Sequence, residues 1–156
     1  MDFPAEAESR MVQIFNIYGD LNRKPYEYCE GVWLYPTEVH AVEFIGRRAS
    51  PSKLSDIAAE LELTKGAISK MAVKLEKLGL VRRYKYVTNQ KEVYLELTPL
   101  GRRVIESHSA YHQPMRAALR EYFDRIPVGD AQRIFEFIGL YREQMERLRQ
   151  LKGETP

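Results

Sequence analysis

The sequence predicts a mainly α fold carrying one small β-hairpin, and three observations predict it. Apolar residues recur at helical spacing through most of the chain, two short β-rich runs stand together just after Gly79, and a helix punctuated at both ends comes immediately before them. The punctuated segment begins at Thr64, an N-cap residue type, and closes at Gly79, suited to the C′ position. At 100° per residue Ile68, Met71, Ala72, Leu75 and Leu78 share one arc, and Lys65, Gly66, Ser69, Lys70, Val73 and Lys77 share the opposite one. Upstream, Leu54, Ile57, Ala58 and Leu61 mark the inner face of a short helix, and a turn over 61–63 joins the two. A short helix, a tight turn and a longer basic helix make a helix-turn-helix.

In order along the chain, Ala7, Met11, Ile14, Phe15 and Tyr18 stripe a first helix over 6–18, which ends at Gly19-Asp20. Residues 21–36 have no clear period. Cys29, Trp33, Tyr26, Tyr28 and Tyr35 fall within them, so they read as an aromatic-rich loop, and such a loop inside a small domain is more often functional than idle. Thr37 caps a second helix with Val39, Val42, Phe44 and Ile45 as its apolar residues and Gly46 and Pro51 at its exit. After the helix-turn-helix, 80–87 and 92–97 form the two strands of a hairpin, or wing. The second strand alternates Val93, Leu95 and Leu97 against Glu92, Tyr94 and Glu96, and Thr88-Asn89-Gln90 suits the turn.

Thr98-Pro99 opens a long helix striped by Val104, Ile105, His108, Tyr111, Met115, Ala118, Leu119 and Tyr122. Pro114 lies inside it, where a lost hydrogen bond and a crowded carbonyl predict a kink. Asp130 caps a last helix whose Ala131, Ile134, Ile138, Tyr141, Met145 and Leu148 alternate three and four apart, a seam that needs a partner helix. The winged unit is too small to cover the first helix and both C-terminal helices, so a second copy of the chain is expected to bury them. The domain boundaries follow: 1–36 as N-terminal dimerisation helix and loop, 37–98 as winged helix-turn-helix, and 99–156 as C-terminal dimerisation helices.

A chain of 156 residues with 44% hydrophobic and 29% charged residues has the composition of an ordinary soluble domain. No apolar run reaches the roughly 18 residues of a membrane span, and the N-terminus lacks the basic start and apolar core of a signal peptide, so a cytoplasmic location is expected, with no membrane partner. The single Cys29 has no intramolecular partner for a disulfide. Net charge is only +2, yet between Thr64 and Lys91 the segment holds eight basic residues against the one acid Glu76, a local +7 that leaves −5 for the remainder. Double-stranded DNA would be drawn to that segment and repelled elsewhere. A homodimer would present two such helices, as a two-fold symmetric DNA site demands.

The order and the motifs resemble the MarR-like family of winged-helix transcription regulators. The carrying segments are Leu54-Ser55-Asp56-Ile57-Ala58, Leu63-Thr64-Lys65-Gly66-Ala67-Ile68-Ser69-Lys70, Leu75-Glu76-Lys77-Leu78-Gly79-Leu80-Val81 and Leu97-Thr98-Pro99-Leu100-Gly101. The resemblance implies that Thr64, Lys65, Gly66, Ser69 and Lys70 face the major groove. It also implies that Lys74, Arg82, Arg83, Lys85, Gln90 and Lys91 meet phosphate or the minor groove. Serine and lysine offer donors to guanine edges or phosphates, and Gly66 lets the backbone approach closely. The wing tip departs from the family, with Asn89-Gln90-Lys91 where Asp-Arg-Arg is usual.

The three histidines are His40, His108 and His112, and the last two stand at i and i+4 on one helix face, a spacing that can chelate a metal. The arrangement is similar to that of zinc-responsive repressors of this family, which implies His40, His108 and His112 as ligands with Cys29 in the neighbouring loop. Zn²⁺ is then the expected ion, ahead of other divalent metals such as Fe²⁺ or Ni²⁺. Departures are Val39 and Ser107, which replace acids, so that Glu27, Glu30, Glu38 or Glu43 would have to supply an oxygen. Two other effectors compete: a small aromatic molecule among Tyr18, Tyr26, Tyr28, Trp33 and Tyr35, and a thiol switch at Cys29. Outside regulators, a non-specific architectural DNA protein fits the same charge. An enzyme, such as a Cys29/histidine hydrolase, has no hydrolase elbow, phosphate loop or His-Glu-x-x-His motif to support it.

Overall fold

The computed structural model describes residues 2–47 and 51–153. Along the chain lie α1 (Phe3–Asn22), β1 (Tyr26–Cys29), β2 (Val32–Leu34), α2 (Pro36–Gly46), β3 (Ser52–Lys53), α3 (Leu54–Glu60), α4 (Lys65–Lys77), β4 (Val81–Tyr86), β5 (Asn89–Leu97), α5 (Pro99–Phe123) and α6 (Val128–Gly153). The fold is mainly helical, with two small antiparallel sheets. The chain divides into two compact units, Met1–Tyr111 and His112–Pro156, and the division falls inside α5.

In the first unit, α2 to α4 and the start of α5 close over the sheet β3-β5-β4. Val39, Val42 and Ile45 of α2, Ile57 of α3, Ile68, Ala72 and Leu75 of α4, Leu95 of β5 and Val104 of α5 are the buried core. The sequence stripe of α4 is the stripe that is buried, because a helix with one apolar arc has only one way to face a core. At its start, Thr64 Oγ1 accepts from the Ala67 amide at 3.2 Å. At its end, the Leu80 amide reaches Leu75 O and the Gly79 amide reaches Glu76 O, a Schellman closure that requires the left-handed φ of +70° held by Gly79. Thr98 does two things at once, accepting from the Gly101 amide at 3.1 Å and donating to Gly79 O at 2.6 Å, which ties the head of α5 to the tail of α4.

Four sequence expectations are corrected. Residues 21–36 are not a loop: β1 and β2 pair as a hairpin, with a bulge between Glu27 and Cys29 and a turn at Gly31 of φ +76°. Strand β2 alternates so that Val32 and Leu34 are buried and Trp33 is exposed. The cap of α2 is Tyr35, with Pro36 in the first turn and the Glu38 carboxylate accepting from the Tyr35 amide at 3.0 Å, so Thr37 lies inside the helix. The wing turns at Val87-Thr88, and β5 already starts at Asn89, because Asn89 Oδ1 accepts from the Lys91 and Glu92 amides and carries the chain into the strand. Asp130 sits in the first turn of α6, whose opening amides from Asp130 and Ala131 bond to Pro127 O. A third strand, β3, pairs Ser52 with Leu95 and Lys53 with Tyr94.

In the second unit, Phe123 and Phe135 stack with ring centroids 5.5 Å apart, and none of residues 128–151 of α6 is buried. Arg147–Glu143 and Arg149–Glu146 are ion pairs one turn apart along the surface of α6.

Candidate nucleic-acid interface

The turn between α3 and α4 sets the angle at which α4 is presented. Glu62 occupies it with φ +51°, a left-handed backbone in a residue that seldom adopts one. Beyond the turn, Thr64, Lys65, Gly66 and Lys70 are exposed and Ser69 is half-buried. A Cβ added at Gly66 would meet nothing within 4 Å, so no neighbour in this chain requires a glycine there. Ser69 Oγ donates to Lys65 O at 2.7 Å. Thr64, Lys65, Gly66 and Lys70 are thus open to solvent, while Ser69 is half-buried with its hydroxyl engaged.

The basic residues divide into two groups. Lys74 Nζ donates to both carboxylate oxygens of Glu38 at 2.7 Å and lies 5.4 Å from the Tyr35 ring centre. Arg82 bonds Glu96 at 2.6 Å across the β4–β5 pair, and Arg83 pairs with Glu76 at 3.3 Å. The sequence tally of +7 is thus reduced in space, because Glu38 and Glu96 reach Lys74 and Arg82 from outside the counted segment. Lys65, Lys70, Lys77, Lys85 and Lys91 are exposed, and none of them is in an ion pair among the described residues. Gln90 donates to Tyr86 O at 2.9 Å, so it braces the wing, while Val87 at the tip is 93% exposed.

On the outer face of the wing, Tyr84, Tyr86 and Tyr94 form an aromatic ridge with centroids 4.7 to 6.1 Å apart. Desolvation, then the hydrogen bond with Tyr86, pushes the Tyr84 hydroxyl up to about 12. Between α3, the start of α4 and β5 the surface sinks into a groove of about 500 Å³.

A second cluster lies where β1, α2 and α5 meet. The His40 and His108 rings are 5.4 Å apart, Tyr28 stands edge-on to His108 at 5.6 Å, and Tyr26 packs on Tyr111 at 5.9 Å. His108 is buried, with Nδ1 3.7 Å from a Glu43 carboxylate oxygen. Burial raises the Glu43 carboxyl, but the hydrogen bond and charge of Arg47, followed by His108 and His40, outweigh it and hold the group below its ordinary value. Cys29 is partly buried against the core, and His112 falls in the second unit. Among the described residues no three His, Cys, Asp or Glu side chains are placed to hold a metal ion, so the four residues expected as ligands do not form a ready site. Of the tyrosines and tryptophan expected to line an aromatic pocket, Tyr18, Trp33 and Tyr35 are exposed and only Tyr26 and Tyr28 join the cluster.

Comparison with known proteins places this geometry. Residues 34–101 match the winged helix DNA-binding domain family. The HTH-type transcriptional regulator YhjH of Bacillus subtilis, itself uncharacterised, is 31% identical over 106 residues, which are 68% of this chain and 60% of that protein. The HTH-type transcriptional regulator PchR of the same organism is 28% identical over 102 residues, 65% of this chain and again 60% of the relative. The chain thus spans about 60% of the length of these two relatives. Among solved structures, the Lactococcus lactis ZitR complex with DNA superposes with a TM-score of 0.73 at 18% identity, covering 93% of this chain and 99% of ZitR, a protein described as a zinc-responsive MarR family member. The adhesin competence repressor AdcR of Streptococcus pyogenes gives 0.70 at 17%, covering 91% and 97%. At these identities the likeness is one of fold.

Proposed function

We propose, on the premise of a MarR-like winged-helix fold, that this chain is a DNA-binding transcription regulator, a repressor, that binds a pseudo-palindromic operator as a homodimer. The observation that carries the reading is the open face of α4: Lys65 and Lys70 exposed, Gly66 with free space above it, and Lys85 and Lys91 on the adjoining wing. Donors at the head of a helix narrow enough for the major groove read base edges, and lysines beside it fix the register on phosphate. The relatives of known class are regulators rather than enzymes. The test is selection of a preferred duplex from random sequence, followed by fluorescence anisotropy. A regulator should prefer the selected duplex by about a thousandfold or more at physiological salt. Equal affinity for selected and random DNA would make it an architectural protein. Lys65→Ala with Lys70→Ala should abolish the preference.

Self-association is supported by apolar surface. Helix α1 exposes Ile14, Ile17 and Tyr18, α6 exposes Phe135, Ile138, Leu148 and Leu151, and among the described residues neither helix has a buried side chain. Exposed apolar residues in such number on one helix mark an interface.

A second reading concerns the effector. The 5.4 Å approach of the His40 and His108 rings supports a divalent ion, Zn²⁺ first, over an aromatic ligand or a Cys29 switch, on condition that a third ligand moves in to complete the site. Equilibrium dialysis with Zn²⁺ should find one site per chain that His108→Ala removes, and equal uptake by that variant would discard the reading.

A further inference from the structure

The groove beside α4 holds one cation, Lys53, that the DNA-facing surface described above leaves unused. Its rim gathers Lys53 from β3, Lys65 from α4 and Lys91 from β5, with the hydroxyl-bearing Ser55 and Ser69 between them, and Glu92 is the one acid among its lining residues. Three cations from three elements around one concavity are costly to hold together, since like charges repel over a few ångström. The carboxylate of Glu92 offsets that repulsion. It accepts from Lys53 Nζ at 2.9 Å, from Asn89 Nδ2 at 2.9 Å and from Tyr94 Oη at 2.7 Å. Asn89 and Tyr94 anchor it on its own strand, whereas the lysine hangs on a flexible stem with its side chain 41% exposed.

We propose that this groove seats a phosphodiester of the DNA backbone, gripped by Lys53 together with Lys65 and Lys91, and that Glu92 is the internal anion which the phosphate displaces from Lys53. The proposal rests on the regulator reading above and adds a contact from β3, outside the helix-turn-helix and wing. A duplex is favoured over a small free anion because Lys65 and Ser69 belong both to the groove and to the face of α4 that meets DNA, so a docked duplex covers the opening. A phosphate contact carries no sequence information, and each one neutralised adds about 0.9 to the slope of log affinity against log salt.

The test compares the full-length chain with Lys53→Gln and Glu92→Gln, on the selected and a random duplex, between about 50 and 200 mM salt. The glutamine at 92 is isosteric, so the hairpin keeps its shape. Lys53→Gln should weaken binding to both duplexes by the same factor, about three- to tenfold, and lower the salt slope by about one for each winged unit engaged. Glu92→Gln should tighten binding to both. An unchanged slope in Lys53→Gln, or a loss confined to the selected duplex, would overturn the seat while leaving the regulator reading intact. Failure of the unaltered chain to bind any duplex would overturn both. In a parallel arm, inorganic phosphate is titrated at constant ionic strength. If millimolar phosphate bound the unaltered chain and shifted its DNA affinity, and Lys53→Gln lost that response, the groove would be a small-anion site and the backbone assignment would fail.

Discussion

Ser52 is fully buried in β3, and its Oγ has no hydrogen-bond partner among the described residues. A hydroxyl taken out of water without a partner costs about 1–3 kcal/mol, while the methyl group of alanine would fill most of the same space. Ser52→Ala is therefore expected to raise the stability of the first unit by about 1 kcal/mol, read as a shift of the urea midpoint at constant m. Next along the strand, Lys53 and then Tyr94 lower the Glu92 carboxyl by hydrogen bonding to its charged form. A carboxyl lowered in the folded state stabilises fully above its unfolded value of about 4.3 and loses that contribution as pH falls through the lower folded value. The wing should accordingly loosen in acid below pH 4, with the protection factors of the β5 amides, corrected for intrinsic exchange, falling there. Glu92→Gln should remove that fall over the same range. Neither effect was legible in the sequence: Lys53 and Glu92 lie 39 positions apart, and only the pairing of β3 with β5 joins them.

At the level of elements, what sequence could read was what is local. Thr64, Gly79 and Thr98 cap helices through residues three or four positions away, so their types alone mark the ends of α4 and the start of α5. The hairpin β1–β2 looks like a loop in the sequence because its strands are short and the bulge between Glu27 and Cys29 breaks the two-residue alternation. The open face of α4 was legible, but the neutralisation of Lys74 and Arg82 was not, since Glu38 and Glu96 reach them only through tertiary packing and strand register. Gly101 is a case where the sequence motif has a packing reason. A Cβ there would stand 2.3 Å from Leu80 O and 2.3 Å from Leu97 Cδ2, and backbone cannot yield as a side chain can. Gly101→Ala should push the head of α5 off the sheet at a cost of about 1–3 kcal/mol, visible as a lowered thermal midpoint, whereas Gly66→Ala should leave the midpoint nearly unchanged and weaken DNA binding.

For the whole molecule, the exposed apolar residues of α1 and α6 are the surface whose burial would drive association. Analytical ultracentrifugation at micromolar concentration should give a dimer. Ile138→Glu with Leu148→Glu, which places charge on the α6 seam, should give a monomer that binds a half-site with much lower affinity. The seam itself was legible from spacing, but which helices it meets was not, because a three-four repeat specifies a face and not a partner. Within the first unit, the bond from Lys74 to both oxygens of Glu38 spans from α4 to α2, two residues ahead of His40. It is a tie rod between the two helices: were α2 to turn at its histidine end, Lys74 would carry that turn to α4. Cutting the rod with Glu38→Gln should leave DNA affinity nearly intact and silence any effector response measured by anisotropy.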